Sequence, residues 1–167
     1  MRRHVFAGLV LLLAALIESA LLPTALGSLP RPNLVLIIAC AWSALRGYEA
    51  YAWALGGGLA LDLLSSAPFG AHTAGIVLGN VIAMLLDRFP MPAEFFRATN
   101  WVAIATLVYH LVQLTLLNAV GRGIGLPLAL FGTILPLLLI NPVLSLLAYA
   151  ALAPLQARLN EQERFAK

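Results

Sequence analysis

Two carboxylates set inside apolar runs, Glu18 and Asp62, three histidines and a run of three glycines are the residues here with chemistry to offer. The densest stretch is GGGLALDLLSSAPFGAHTAG, Gly56 to Gly75. A phosphate loop needs a lysine followed by Ser or Thr after its last glycine, and the only lysine is Lys167. The dinucleotide fingerprint GxGxxG is unmet, because Gly58 leads into Leu-Ala-Leu-Asp62. Aspartyl proteolysis needs two acids sharing a proton. The aspartates are Asp62 and Asp87, and the topology derived below sets them at opposite faces of a membrane. No G-x-S-x-G elbow is present. A metal site needs several ligands at fixed spacing; His4, His72 and His110 form no H-E-x-x-H, and His72 with Asp62 makes two ligands at most. The expectation is a chain with no catalytic residue, no cofactor and no metal.

The elements that position these residues follow from composition. Of the 167 residues, 62% are hydrophobic and 10% charged, with mean hydropathy +0.94. Soluble domains carry about 25% charged residues. So little charge cannot cover a water-facing surface, so the solvent is lipid. Spans in lipid are helices or a closed barrel. Continuous apolar runs such as VLIIACAW and LALFGTILPLLLI lack the alternation of barrel strands. The expected fold is therefore all-α: one polytopic transmembrane domain over 1–167, a six-helix bundle.

Its spans are placed at about 5–25, 33–45, 49–64, 71–86, 100–120 and 127–155. The second is short: thirteen residues rise about 20 Å against a core of roughly 30 Å. It borrows flanking residues, thins the bilayer or lies buried among its neighbours. The sixth carries Pro136 and Pro142, which favour kinks, and Asn141 is placed to satisfy a carbonyl freed by Pro142. The start, MRRH before an apolar run, also fits a signal peptide cut near Ala25-Leu26-Gly27; the run is long for one, and five further spans anchor the chain regardless.

The basic residues all fall outside the apolar runs. With both termini in the cytoplasm, the inner segments hold Arg2, Arg3, Arg46, Arg88, Arg97, Arg158, Arg164 and Lys167, eight in all, against Arg31 and Arg122 outside. That is a strong positive-inside bias. The segment DRFPMPAEFFR, Asp87 to Arg97, becomes an inner loop whose Phe89, Met91, Phe95 and Phe96 dip into the interface. No basic patch interleaved with aromatics exists, so no nucleic-acid partner is expected. Cys40 lies mid-span as a packed apolar residue. No internal repeat is evident.

Polar residues within spans need partners. An ionised acid mid-helix costs about 2.5–3.5 kcal/mol on insertion scales. Gly58 lies one turn below Asp62, so the acid sits over a close helix crossing. Three readings stay open for it: a bond to the amides opening the fourth span or to His72, contact with a partner protein, or an interfacial acid of no special role. Glu18 either pairs with a polar group of another span or meets a partner's helix. His110, Gln113 and Asn118 hydrogen-bond within the bundle. Gly75 and Gly79 form a GxxxG, and with Ala15 and Ser19 they make strips fit for helix docking, inside this chain or with a partner. Trp42 and Trp101 are read as interface anchors and Trp53 as packing.

In this order the motifs resemble one family. PRPNLVL, with Pro32, Asn33 and Leu34, is similar to the Pro-Asp/Asn-Leu-Leu entry to the second span of MreD, the rod-shape-determining membrane protein of bacteria. Arg46-Gly47 matches its Arg-Gly turn. Gly58, Leu59, Asp62, Leu63, Ser65, Pro68 and Gly70 match its Gly-Leu-x-x-Asp-Leu-x-Ser-x-x-Pro-Leu-Gly stretch, with Phe69 where leucine is more usual. Asn141 and the Leu155–Leu159 tail look like its closing span. The resemblance implies a non-enzymatic scaffold of the bacterial elongation complex, in the cytoplasmic membrane. Its partners would be MreC, then RodA with its partner transpeptidase, and MreB through the complex. It also implies a fold similar to the S components of energy-coupling-factor transporters. That likeness supplies the alternative, a small-molecule-binding transporter component.

Overall fold

The computed structural model describes residues 2–46, 50–86, 94–123 and 125–165. Among them every regular element is helical. The order is α1 (Arg2–Leu16), a π-helical turn (Ile17–Leu21), α2 (Leu22–Leu26), α3 (Leu34–Arg46), α4 (Ala50–Leu64), α5 (Ala71–Leu86), α6 (Glu94–Ala119), α7 (Leu126–Ala129), a second π-helical turn (Leu130–Ile134) and α8 (Leu135–Phe165).

Three helical stretches are long and apolar enough to cross a membrane: Gly8–Leu26, Phe96–Ala119 and Leu126–Arg158. Three apolar helices are shorter, Leu34–Leu45, Tyr51–Leu64 and Ala71–Leu86. The short α3 lies at the centre. It packs against α1, α4, α5, α6 and α8, and Val35, Leu36, Ile37, Ala39, Cys40 and Ala41 on it are all buried. A helix apolar on every side is stable when it is surrounded, and α3 is so surrounded.

Glycines set how closely the neighbours approach. A methyl group added at Gly58 would stand 2.6 Å from the Cα of Thr73, so α4 and α5 touch backbone to backbone. At Gly75 it would meet the Tyr109 ring at 2.6 Å, and at Gly79 the carbonyl oxygen of Ala105 at 2.9 Å. The GxxxG strip is therefore filled by α6 of the same chain and is closed to a partner helix. Ala15 is likewise buried in the core, which removes the Ala15/Ser19 strip.

Three other expectations are corrected. The helix that carries the fifth apolar run begins before residue 100: α6 starts at Glu94, so the end of the expected inner loop is helix. Nothing between Glu94 and Asn100 breaks a helix, since the segment holds neither Gly nor Pro. The same reason carries α8 past 155 to Phe165. Trp42 and Trp101 are no interface anchors. Both are buried, and Trp42 stacks on Trp53 with ring centroids 4.5 Å apart. The wide, flat rings fill the space between helices instead of meeting headgroups. Asp87, Phe89 and Met91 lie outside the described residues, as do Glu49 and Gly47 and the side chains of Arg46 and Phe95. Phe96 is half exposed.

Candidate functional site

The site is built on helix ends. The first turn of any helix has four N–H groups without intrahelical partners, and in an apolar medium each must find an acceptor. At the start of α5, Ala71, His72 and Thr73 carry three of them, and all three are met. Ala71 N–H donates to the Pro68 carbonyl at 3.0 Å and Ala74 N–H to the Gly70 carbonyl at 2.8 Å. The two between go to one carboxylate: His72 N–H to Asp62 Oδ1 at 2.8 Å and Thr73 N–H to Asp62 Oδ2 at 3.1 Å. Thr73 Oγ1–H adds a third donor to Oδ2 at 2.5 Å.

Sequence explains why the acceptor is remote. Gly70 occupies the N-cap, with φ +91°, a conformation that suits glycine and few others. Glycine has no side chain to cap with. Asp62, eight residues earlier on α4, supplies the oxygens that Ser, Thr or Asn would ordinarily provide there. The acid is 4% exposed, and the positive end of the α5 dipole complements its charge. Of the three readings open for Asp62, the geometry is that of the bond to the next helix start. His72 takes part through its backbone; its ring points elsewhere. His72 Nδ1 lies 2.6 Å from Tyr109 Oη and 3.3 Å from Gln113 Nε2. An amide nitrogen can only donate, so Nδ1 accepts and the Tyr109 hydroxyl donates to it.

A second cluster repeats the device at α3. Ile37 N–H donates to the Asn33 carbonyl at 3.0 Å, and Leu36 N–H to Asn33 Oδ1 at 2.9 Å. Val35 N–H donates to Glu18 Oε2 at 3.0 Å, across from the π-helical turn of the first span. Glu18 thus caps a helix of its own chain, the counterpart of Asp62. At the other end of α3 the Arg97 guanidinium donates to the Ala44 carbonyl. The central helix therefore has a carboxyl oxygen accepting at its N-terminus and a cation donating at its C-terminus, each from a different neighbour, in the sense the dipole favours.

Asn141 is not the local patch on Pro142 that its position suggested. Its Oδ1 accepts from Asn33 N–H at 3.3 Å, and its Nδ2 donates to Thr106 Oγ1 at 3.2 Å. It ties α8 to α3 and α6 at full burial. The hydroxyl of Ser145, one turn on, donates to the Pro142 carbonyl at 2.6 Å.

Asn80 and Thr106 are among the buried polar residues that escaped the sequence reading. Asn80 accepts from Ser43 Oγ–H at 2.7 Å and donates to the Ile76 carbonyl at 3.1 Å. Thr106 accepts from Asn141. The signal for both was available, a polar side chain in the middle of a span, but small polar residues also sit silently against their own helix carbonyls.

The predicted residues fall into these groups. Gly58, Asp62, Pro68, Gly70 and His72 come together at the α4–α5 turn, with Gly75 beside Tyr109. Glu18, Asn33 and Asn141 come together at the head of α3. Gly79 lies deeper, against α6. Pro32 is half-buried in the approach to α3, and Arg46 closes that helix at the far end. Tyr109 joins the two groups, since it bonds His72 and also lines a cavity of about 300 Å³ whose wall includes Glu18 and Asn33. Among the described residues no three His, Cys, Asp or Glu side chains converge as a metal site would need.

Comparison of the chain with protein-family models, with curated proteins and with solved structures finds no match in any of the three.

Proposed function

We propose that this chain is a non-enzymatic membrane scaffold of the MreD kind. It holds MreC in the bacterial elongation complex, and through that complex acts with RodA, its partner transpeptidase and MreB to organise peptidoglycan synthesis and cell shape. In this reading all six apolar segments cross the cytoplasmic membrane, the short α3, α4 and α5 among the longer three. Both termini face the cytoplasm, as the eight-to-two distribution of basic residues favours. The bundle is then of the kind found in energy-coupling-factor S components.

One observation carries the reading. The intramembrane acids that would be the first candidates for chemistry are engaged by backbone amides at helix starts. A chain whose polar groups hold its own helices in place, and whose helices leave apolar faces outward, is built to present surface within the bilayer. Leu13 on α1 is 58% exposed and Leu139 on α8 is 74% exposed. The test is capture of MreC. A tagged chain extracted from bacterial membranes in mild detergent should bring MreC with it; absence of MreC under conditions that keep the bundle folded overturns the reading.

The second reading, a small-molecule-binding S component of a membrane transporter, has the cavity beside Glu18 in its favour. A raised unfolding temperature with a water-soluble vitamin, in the absence of MreC capture, would exchange the two readings.

A further inference from the structure

The cavity beside Glu18 has features that helix capping alone leaves unexplained. It measures about 300 Å³ and is walled by Glu18, Arg31, Tyr109, His110, Gly132 and Thr133, among others. That is the low end of the range for small-molecule sites. Both π-helical turns of the described chain border it: Glu18 lies in Ile17–Leu21, and Gly132 and Thr133 lie in Leu130–Ile134. Such turns are rare and are frequent at functional sites. Two of them converging on one hollow is an observation independent of its size.

The polarity of the wall is lopsided. The Glu18 carboxylate receives backbone N–H groups of Leu34 and Val35, and no cationic side chain is among its partners in the described residues. In its ionised form, which a bound cation favours, it offers about four lone-pair positions, so acceptor capacity remains. His110 Nδ1 lies 2.8 Å from the Thr106 carbonyl. A carbonyl only accepts, so Nδ1 carries the hydrogen and the other ring nitrogen, Nε2, is left as an acceptor. Tyr109 has given its hydroxyl hydrogen to His72. Glu18 and His110 thus offer lone pairs on the inner wall. The guanidinium of Arg31, exposed and held to the Gly27 carbonyl at 2.7 Å, is the cation of the wall.

We propose that this cavity binds a primary ammonium group that carries an anionic group a short spacer away, the ammonium on Glu18 and His110 and the anion toward Arg31. Three N–H hydrogens suit three lone-pair positions, and a positive charge complements an acid that has no side-chain counter-ion. A phosphoethanolamine unit has this chemistry, whether it is the headgroup of a phospholipid or a free solute. The inference stands apart from the scaffold reading, since a partner-binding protein can hold such a ligand or lack one.

The experiment compares phosphoethanolamine with phosphocholine, which keeps charge and phosphate and loses every N–H. Purified, delipidated chain is exposed in one arm to phosphatidylethanolamine or phosphatidylcholine and weighed by native mass spectrometry. In the other arm it is titrated with O-phosphoethanolamine or phosphocholine. A preference of about tenfold or more for the primary ammonium in either arm is expected, as one charge-assisted hydrogen bond supplies. A preference in the lipid arm identifies a headgroup, and one in the solute arm a free ligand. Glu18→Gln should erase it while its amide oxygen still caps Val35. Should that variant not fold, Arg31→Ala, at an exposed position, replaces it and should weaken retention of both phosphate compounds. Equal retention of the two headgroup types overturns the proposal, as does a preference that survives Glu18→Gln, or Arg31→Ala binding unchanged.

Discussion

At the scale of single residues, each buried acid acts as a remote cap. The first turn of α5 needs two acceptors that Gly70 cannot supply, and Asp62 supplies both with one side chain. Thr73 adds its hydroxyl to the same oxygen. Thr73→Val keeps the shape and removes that donor, so the unfolding free energy should fall by about 1–2 kcal/mol, the range for a hydrogen bond to a charged group; chemical denaturation in detergent reads it. In the second cluster, Asn141→Leu strips both bonds from the α3–α6–α8 junction and leaves Thr106 Oγ1 and Asn33 N–H in need of partners. A loss of about 2–3 kcal/mol is expected in the same assay.

At the scale of elements, glycines separate crossings from free surface. The three consecutive glycines of α4 have three different environments. Gly56 faces open space, Gly57 faces Val35 and Leu11, and Gly58 faces the Thr73 backbone. Gly56→Ala should therefore raise the unfolding midpoint, through the helix preference worth about 0.5–1 kcal/mol. Gly58→Ala should lower it, by about 1–3 kcal/mol, because backbone cannot yield as a side chain does. Equal effects at the two positions would refute the crossing. Much of this was legible beforehand: the i, i+4 relation put Gly58 under Asp62, and the Phe69-Gly70 turn announced a helix start just beyond it. The partner of Asn141 was not, because a residue next to proline suggests a local repair and sequence carries no sign that α3 passes alongside. The start of α6 and the end of α8 reach past the expected spans for a related reason. Hydropathy marks where lipid stops, and a helix continues into water until a breaker ends it. Neither π-helical turn has a sequence signature of its own. The depth of Trp42 and Trp101 was equally hidden, since tryptophan suits an interface and a helix crossing alike.

At the scale of the whole molecule, α3 is short, central and surrounded, with its dipole answered at both ends by neighbours. Helices around it are fixed by glycine crossings and by polar ties that an apolar solvent strengthens. The proposed orientation gives a direct expectation. Cys40 is buried, so the native thiol gives no background labelling. Ser28→Cys should then react with a membrane-impermeant maleimide in intact cells with a permeable outer envelope, and Gln162→Cys only after the membrane is breached; the reverse pattern contradicts the orientation. The central claim is that the buried acid at the α4–α5 turn belongs to the architecture, and that partners meet the outside of the bundle. Thermal unfolding of Asp62→Asn tests it most directly, with MreC capture read on the same sample below the midpoint. Asparagine keeps one acceptor and turns an N–H₂ toward groups that also donate. The account predicts a midpoint clearly below that of the unaltered chain, by the equivalent of about 1–3 kcal/mol, with capture retained while the bundle is folded. An unchanged midpoint with capture lost would contradict it and place Asp62 at the partner surface.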